Sequence, residues 1–378
     1  MPVTKGAIHI ANICDFNVDL VIQNCPSCDV FSHHFTIKCA RLQVIYNKSL
    51  IIAKICATLV TTPFKKRKNM KNKSTALAYA GIISVVLIWG LIPSAKKALI
   101  GDSFSASVYS AITAFAAASV LLIMSAKQLK NLNRDYFKVA VPTGLCVGLA
   151  SLVQALAYNF NASPTNQAFL ENLSCVIVPI LLFVIIKKRP SILTVAASAL
   201  CLVSSMVLAG VFNVGLNLGA ADILNALAGL FYGINIAITG IYAKKYVASL
   251  YVMIQLFIQA ILSAIMAIAF NFINIGGEPV DPFVFTPNVW LVLAIVGIGI
   301  LSNSVCWTIR TSAMKYVSAN VVAVIMPFSA VITGVFALIL GQDEPSITLL
   351  IGAILGLAAS FLSSAGDILE NKRAEKKE

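Results

Sequence analysis

The sequence predicts an all-α integral membrane protein with ten transmembrane helices, built as two inverted five-helix repeats. Three observations predict it. First, ten apolar stretches of about 20 residues follow one another between Thr75 and Leu369, and about 20 residues cross a hydrocarbon core roughly 30 Å thick. Second, basic residues gather on alternating connections. Third, the first five stretches resemble the second five, and because five is odd the second set enters from the opposite side. Inverted repeats of this kind are common among secondary transporters, so a solute transporter is the expected class.

The spans are expected at about 75–95, 103–125, 138–160, 164–186, 191–211, 220–242, 247–272, 288–310, 317–340 and 346–368. The composition, 59% hydrophobic and 11% charged, excludes an ordinary soluble domain, which carries about 25% charged residues. A net charge of +13 would elsewhere point to nucleic acid. Here the basic residues sit in short runs between apolar spans, so the expected partners are the lipid bilayer and a small-molecule substrate, with no nucleic acid. The chain is expected to be a monomer or weak homodimer. With the N-terminus in the cytoplasm, the inner segments from Lys65 onward hold 21 Lys and Arg and the outer connections only Lys96 and Lys97. The positive-inside rule then puts both termini in the cytoplasm and the multi-pass chain in the cell (cytoplasmic or inner) membrane.

Residues 1–69 read differently. All three histidines and five of the nine cysteines precede Met70, and no run there is clean enough to span. Met70-Lys-Asn-Lys-Ser, directly before the first span, resembles a natural protein start. The segment is therefore expected to be an atypical extension without function. Cys25-Pro-Ser-Cys28 with His33 or His34 and Cys39 has zinc-ligand residue types, but the spacing is one residue too long for a zinc knuckle, and no metal is expected. The rival readings are a receptor or scaffold whose N-terminal segment binds zinc, and an integral-membrane enzyme. The spans hold no nucleotide-binding loop, His-metal pair or nucleophile motif. The chain is accordingly expected to need no cofactor, to catalyse no reaction and to run on a gradient.

The repeats are expected at 70–216 and 217–378, the latter with a cytoplasmic tail. Trp89-Gly90 precedes Lys96-Lys97, and Tyr232-Gly233 precedes Lys244-Lys245. Pro190-Ser191-Ile192 opens the fifth span and Pro345-Ser346-Ile347 the tenth. Together with the run Asn166-Gln167-Ala168-Phe169-Leu170 through Pro179, and with Leu340-Gly341-Gln342-Asp343-Glu344-Pro345 closing the second repeat, this pattern resembles the drug/metabolite transporter superfamily. More specifically, it resembles the EamA-type ten-helix permeases of that superfamily, over about 75–373. The resemblance implies export of small organic metabolites, such as amino acids or related compounds, by alternating access. One departure is Lys187-Lys188-Arg189, which stands where the first repeat would carry an acidic residue.

Site candidates come from the cost of polarity in lipid. Of 15 acidic residues, only Glu171 falls well inside a span. A membrane-buried carboxylate is expensive and usually functional, here as a proton- or cation-coupling group. Gln167, Glu171 and Ser174 recur at helical spacing on one face. Gln154 with Tyr158 does the same, as do Asn225, Tyr232, Asn235 and Thr239, the set Gly299, Asn303, Trp307 and Arg310, and the pair Gln255 and Gln259. In lipid such stripes turn inward. They line a cavity or hydrogen-bond between helices. Trp89, Tyr158, Tyr232 and Trp307 would add aromatic walls. Arg310 either snorkels to the cytoplasm or receives an anionic group. Pro179 and Pro327 mark kinks in the fourth and ninth spans.

Overall fold

The computed structural model describes residues 71–100, 104–160, 164–171, 173–187, 190–208, 219–275, 278–279, 281, 283–285, 289–341 and 347–375. All of them lie in the compact unit Pro63–Glu378. The expected extension 1–69 with its zinc-type cysteines and the segment 342–346 with Glu344 fall outside the described residues.

The regular structure among the described residues is helical apart from a two-residue antiparallel ladder, in which Asn274 pairs with Pro279, and an isolated bridge between Phe104 and Phe285. In chain order the helices are α1 (Lys71–Ile100), α2 (Ala106–Met124), α3 (Arg134–Asn159), α4 (Pro164–Glu171), α5 (Ser174–Ile186), α6 (Ile192–Leu208), α7 (Ala220–Tyr242), α8 (Ala248–Phe272), α9 (Val289–Gly299), α10 (Trp307–Ala313), α11 (Ala319–Ile325), α12 (Phe328–Ile339) and α13 (Ile347–Glu375). Among the described residues, seven helical stretches are long and apolar enough to cross a membrane, and three shorter apolar stretches occur at Ser174–Ile186, Ile192–Val207 and Leu350–Ser363.

Polarity is distributed as lipid requires. Ile123, Ile192 and Phe361 lie on the outer surface, while Asn225, Asn235, Gln255 and Thr333 are fully buried. Hydrocarbon offers no hydrogen bonds, so polar side chains seek partners within the bundle. Thr143 of α3 is such a meeting point. Its hydroxyl lies 2.8 Å from that of Tyr251 and accepts from the Gln255 amide at 2.8 Å, while its carbonyl accepts from Asn235 at 3.2 Å. One residue thus ties α3 to α7 and α8. Thr143→Val keeps the shape but strands the Gln255 donor, and a stranded buried group costs about 1–3 kcal/mol. Thermal unfolding in detergent should show that loss, and an unchanged midpoint would remove Thr143 from this role.

Two expected single helices are broken. The expected fourth span is two helices, α4 ending at Glu171 and α5 beginning at Ser174, and the Leu173 N–H turns back to the Leu170 carbonyl at 3.2 Å. Pro179 lies within α5 instead, so the expected kink falls just after Glu171. The ninth span divides into α11 and α12 at Pro327; proline lacks the N–H that would continue the ladder. The eighth span is continuous but widens into a π-helical segment, Ile300–Cys306, between α9 and α10.

The packing follows a regular scheme. α1 lies against α12 and α10, α7 against α4, α5 and α3, α2 against α8 and α9, and α8 also against α3. α6 packs along α13, and α4 against α12. These contacts bring α1, the α4–α5 break, α7 and the π segment around one central space.

Candidate functional site

That space is a cavity of about 170 Å³. A site needs about 10–15 Å³ on this measure to hold one water, so the cavity has room for a small organic solute. Its walls come from α1, α2, α3, α4, the start of α5, α7, α8, the π segment, α10 and the α11–α12 junction.

Of the nine site residues expected from the sequence, Trp89, Gln154, Gln167, Glu171, Tyr232, Asn303 and Trp307 line the cavity. The other two do not. Asn235 is fully buried behind the wall, where it accepts from Arg310 at 2.8 Å and donates to the Thr143 carbonyl. The ring of Tyr158 lies 4.2 Å from the Lys96 ammonium and is not part of the wall. Both support groups that do face the cavity. Ser174 and Gln259 line it as their stripes predict, whereas Gln255 and Thr239 belong to the interhelical hydrogen bonds at Thr143 and Tyr251.

Glu171 is the last residue of α4. The amides of Gln154 and Gln167 both donate to its Oε1, the latter at 2.6 Å. Gln167 precedes it by one helical turn, so helical spacing alone aligns the two. Gln154 arrives from α3, and its own carbonyl oxygen accepts from the Tyr232 hydroxyl of α7 at 3.2 Å. Three helices therefore hold one carboxylate at the cavity wall. α7 can approach this closely because residue 229 is glycine. A β-carbon there would stand 2.5 Å from the Leu170 carbonyl oxygen and 3.0 Å from that of Glu171.

Two buried cations share the cavity; Lys96 departs from the expected picture, and of the two alternatives for Arg310 its burial excludes snorkelling. Lys96 is not on an outer connection. α1 runs about a turn beyond its expected end, and Lys96 sits within it, 6% exposed. Its ammonium lies over the rings of Tyr158 and of Tyr109, at 4.2 and 5.4 Å. The sequence signal was Trp89, Pro93 and Lys96, spaced four and three apart on one helical face. Arg310 does not snorkel. It is 1% exposed, and its guanidinium lies 4.1 Å from the Trp307 ring and 5.5 Å from that of Trp89. Such contacts contribute about 0.5–2 kcal/mol each. Among the described residues, the recorded ion pair is Lys138 with Asp135 at a helix end; neither buried cation has one.

The aromatic wall is continuous. Trp307 lies 5.9 Å from Trp89 and 6.2 Å from Tyr232. The indole N–H of Trp89 donates to the Ser302 carbonyl at 3.0 Å. Ser302 lies in the π segment, whose altered backbone pairing accommodates such insertions; π-bulges recur at functional sites. Nothing in the residue pattern announced it. No group of three or more His, Cys, Asp or Glu that could hold a metal occurs among the described residues.

Residues 221–365 match the family model of the EamA-like transporter family. A search of curated proteins finds no match. Among solved structures, one protein crystal structure aligns with a TM-score of 0.61 at 14% identity, over 77% of this chain and 98% of that one. That likeness concerns the fold. The family match begins in α7 and ends in α13, the stretch that the sequence pattern marks as the second repeat.

Proposed function

We propose that this chain, whose residues 221–365 match the family model of the EamA-like transporter family, moves small organic metabolites across a cell membrane by alternating access. The substrates are amino acids or related compounds, carried outward and coupled to a proton or another gradient. The single observation that carries this reading is the cavity itself, with Glu171 held at its wall by Gln154 and Gln167. A titratable group at membrane depth, facing a space open to solute, is the arrangement gradient coupling needs.

The proposed architecture is ten spans in two inverted five-helix halves. The helix pairing supports it. An exchange of each span with the one five places on turns the α1–α12 contact into that of α7 with the fourth span. It likewise turns α1–α10 into α7–α3, and α2–α9 into α8–α3. The pairs α2–α8, α4–α12 and α6–α13 map onto themselves. This is the pattern expected of a pseudo-two-fold axis in the membrane plane.

The experiment is counterflow in liposomes containing the purified protein, with a panel of labelled amino acids and their derivatives, in the presence and absence of a pH gradient. Uptake above that of empty liposomes, enhanced by the gradient, is expected. Uptake equal to empty liposomes for the whole panel would reject the reading. Orientation has its own check. In a background without native cysteines, a cysteine at Gly277 should react with a membrane-impermeant thiol reagent added outside, and one at Asn131 only after permeabilisation. The opposite pattern would invert the topology. The chain acts as a monomer or weak homodimer in this reading, since one copy encloses the cavity.

A further inference from the structure

We propose that Arg310 is the docking point for a carboxylate, and that the substrates are therefore small organic acids with an apolar or aromatic body, amino acids among them. The inference rests on the transport reading above and specifies the chemistry its cavity accepts.

Four observations converge on it. Arg310 is 1% exposed yet lines the cavity. A guanidinium has five N–H donors in a planar fork, but the protein bond recorded for it is one, to Asn235 at 2.8 Å, and its buried Nε–H has no acceptor. No carboxylate among the described residues lies within ion-pair range of it. Finally, Lys96 adds a second buried cation to the same cavity, against Glu171 as the acid on its wall.

An isolated buried charge is strongly disfavoured unless it is paired and hydrogen-bonded. The faces of Trp307 and Trp89 offset part of that penalty but supply no hydrogen-bond acceptor. The missing partner is a planar anion with two acceptor oxygens, which matches the guanidinium fork in a bidentate pair. Trp89, Trp307 and Tyr232 flank that position, so the body of the ligand meets aromatic surface.

The test is ligand-induced thermal stabilisation of the full chain purified in detergent. The probes are matched pairs that differ only in the acid group: 3-phenylpropionate and its amide, phenylalanine and phenylalaninamide, leucine and leucinamide. At least one acid should stabilise the protein with an apparent affinity tenfold or more above its amide. Two variants should erase that preference. Arg310→Gln removes the fork. Asn235→Asp is nearly isosteric, leaves the cation in place and supplies it with an internal carboxylate, so its result does not depend on the protein tolerating loss of Arg310. The proposal is overturned if amides bind as well as acids, if no acid in the panel stabilises the protein, or if Asn235→Asp retains the preference. Because binding is read without transport, the two readings fail separately. Transport without acid preference removes the docking point alone. Acid-selective binding without movement in liposomes removes the transport reading.

Discussion

Glu171→Gln is expected to abolish gradient-driven accumulation of substrate while leaving one-for-one substrate exchange intact. The substitution is conservative where the structure needs it to be. The amides of Gln154 and Gln167 both donate to Oε1 of Glu171, and a glutamine carbonyl oxygen can accept from both. The helix break after residue 171 and the contact with α7 involve backbone, which does not change. What disappears is the ability to take up and release a proton as the cavity faces one side and then the other. Accumulation driven by a pH gradient should therefore fall to the level of empty liposomes, and the pH dependence of transport should flatten. Exchange, which needs no net proton movement, should continue. The measurement is uptake and counterflow over a range of external pH. If the variant accumulates substrate with an unchanged pH profile, Glu171 is a structural hydrogen-bond acceptor and the coupling role falls.

Gly229→Ala is expected to damage both stability and transport, although it adds one methyl group. The new β-carbon would sit 2.5 Å from the Leu170 carbonyl oxygen and 3.0 Å from that of Glu171. Both obstacles are backbone, which cannot rotate away as a side chain can. α7 must retreat from the α4–α5 break, and with it the Tyr232 hydroxyl that orients Gln154. Overpacking of this kind typically costs about 1–3 kcal/mol. Gly297→Ala is the matched control, because nothing lies within 4 Å of its new β-carbon. There alanine should be neutral or gain up to about 1 kcal/mol of helix propensity. Thermal midpoints in detergent and transport rates in liposomes compare the two. Equal behaviour of both variants would show that the close approach of α7 is not required.

Much of the cavity was legible because lipid makes polarity expensive everywhere except inside. Gln167, Glu171 and Ser174, or Asn303 and Trp307, stand out against apolar neighbours and recur at helical spacing, so their shared face can be read from the chain alone. Spacing gives a face, however, and not the identity of what lies opposite. Gln255 and Gln259 are one turn apart on α8, yet Gln259 lines the cavity and Gln255 bonds to Thr143. Asn235 shares a stripe with Tyr232 but stands behind the wall as the partner of Arg310. From the sequence Lys96 belongs to an outer connection and Arg310 has snorkelling as one of two alternatives, because charge near the end of an apolar run normally escapes to water. α1 and α10 continue past those positions, and the aromatic faces around each cation hold it inside.

By itself the sequence determined the membrane class, the apolar helical stretches with the basic residues between them, and the acid at residue 171. Each of these follows from a one-dimensional property: run length against bilayer thickness, charge between runs, and the rarity of a carboxylate within them. Tertiary structure alone decided where the helices break and which charges turn inward. The end of α4 at Glu171 has no proline to announce it and lies where Gly229 brings α7 against the Leu170 and Glu171 carbonyls. The π segment at Ile300–Cys306 offers its Ser302 carbonyl to the Trp89 indole, 213 positions away in the chain. Contacts between distant spans set these features, and their energies depend on the partner face and not on the local run of residues. That is why a hydropathy pattern can place a helix in the membrane but cannot say which of its charges will face the cavity.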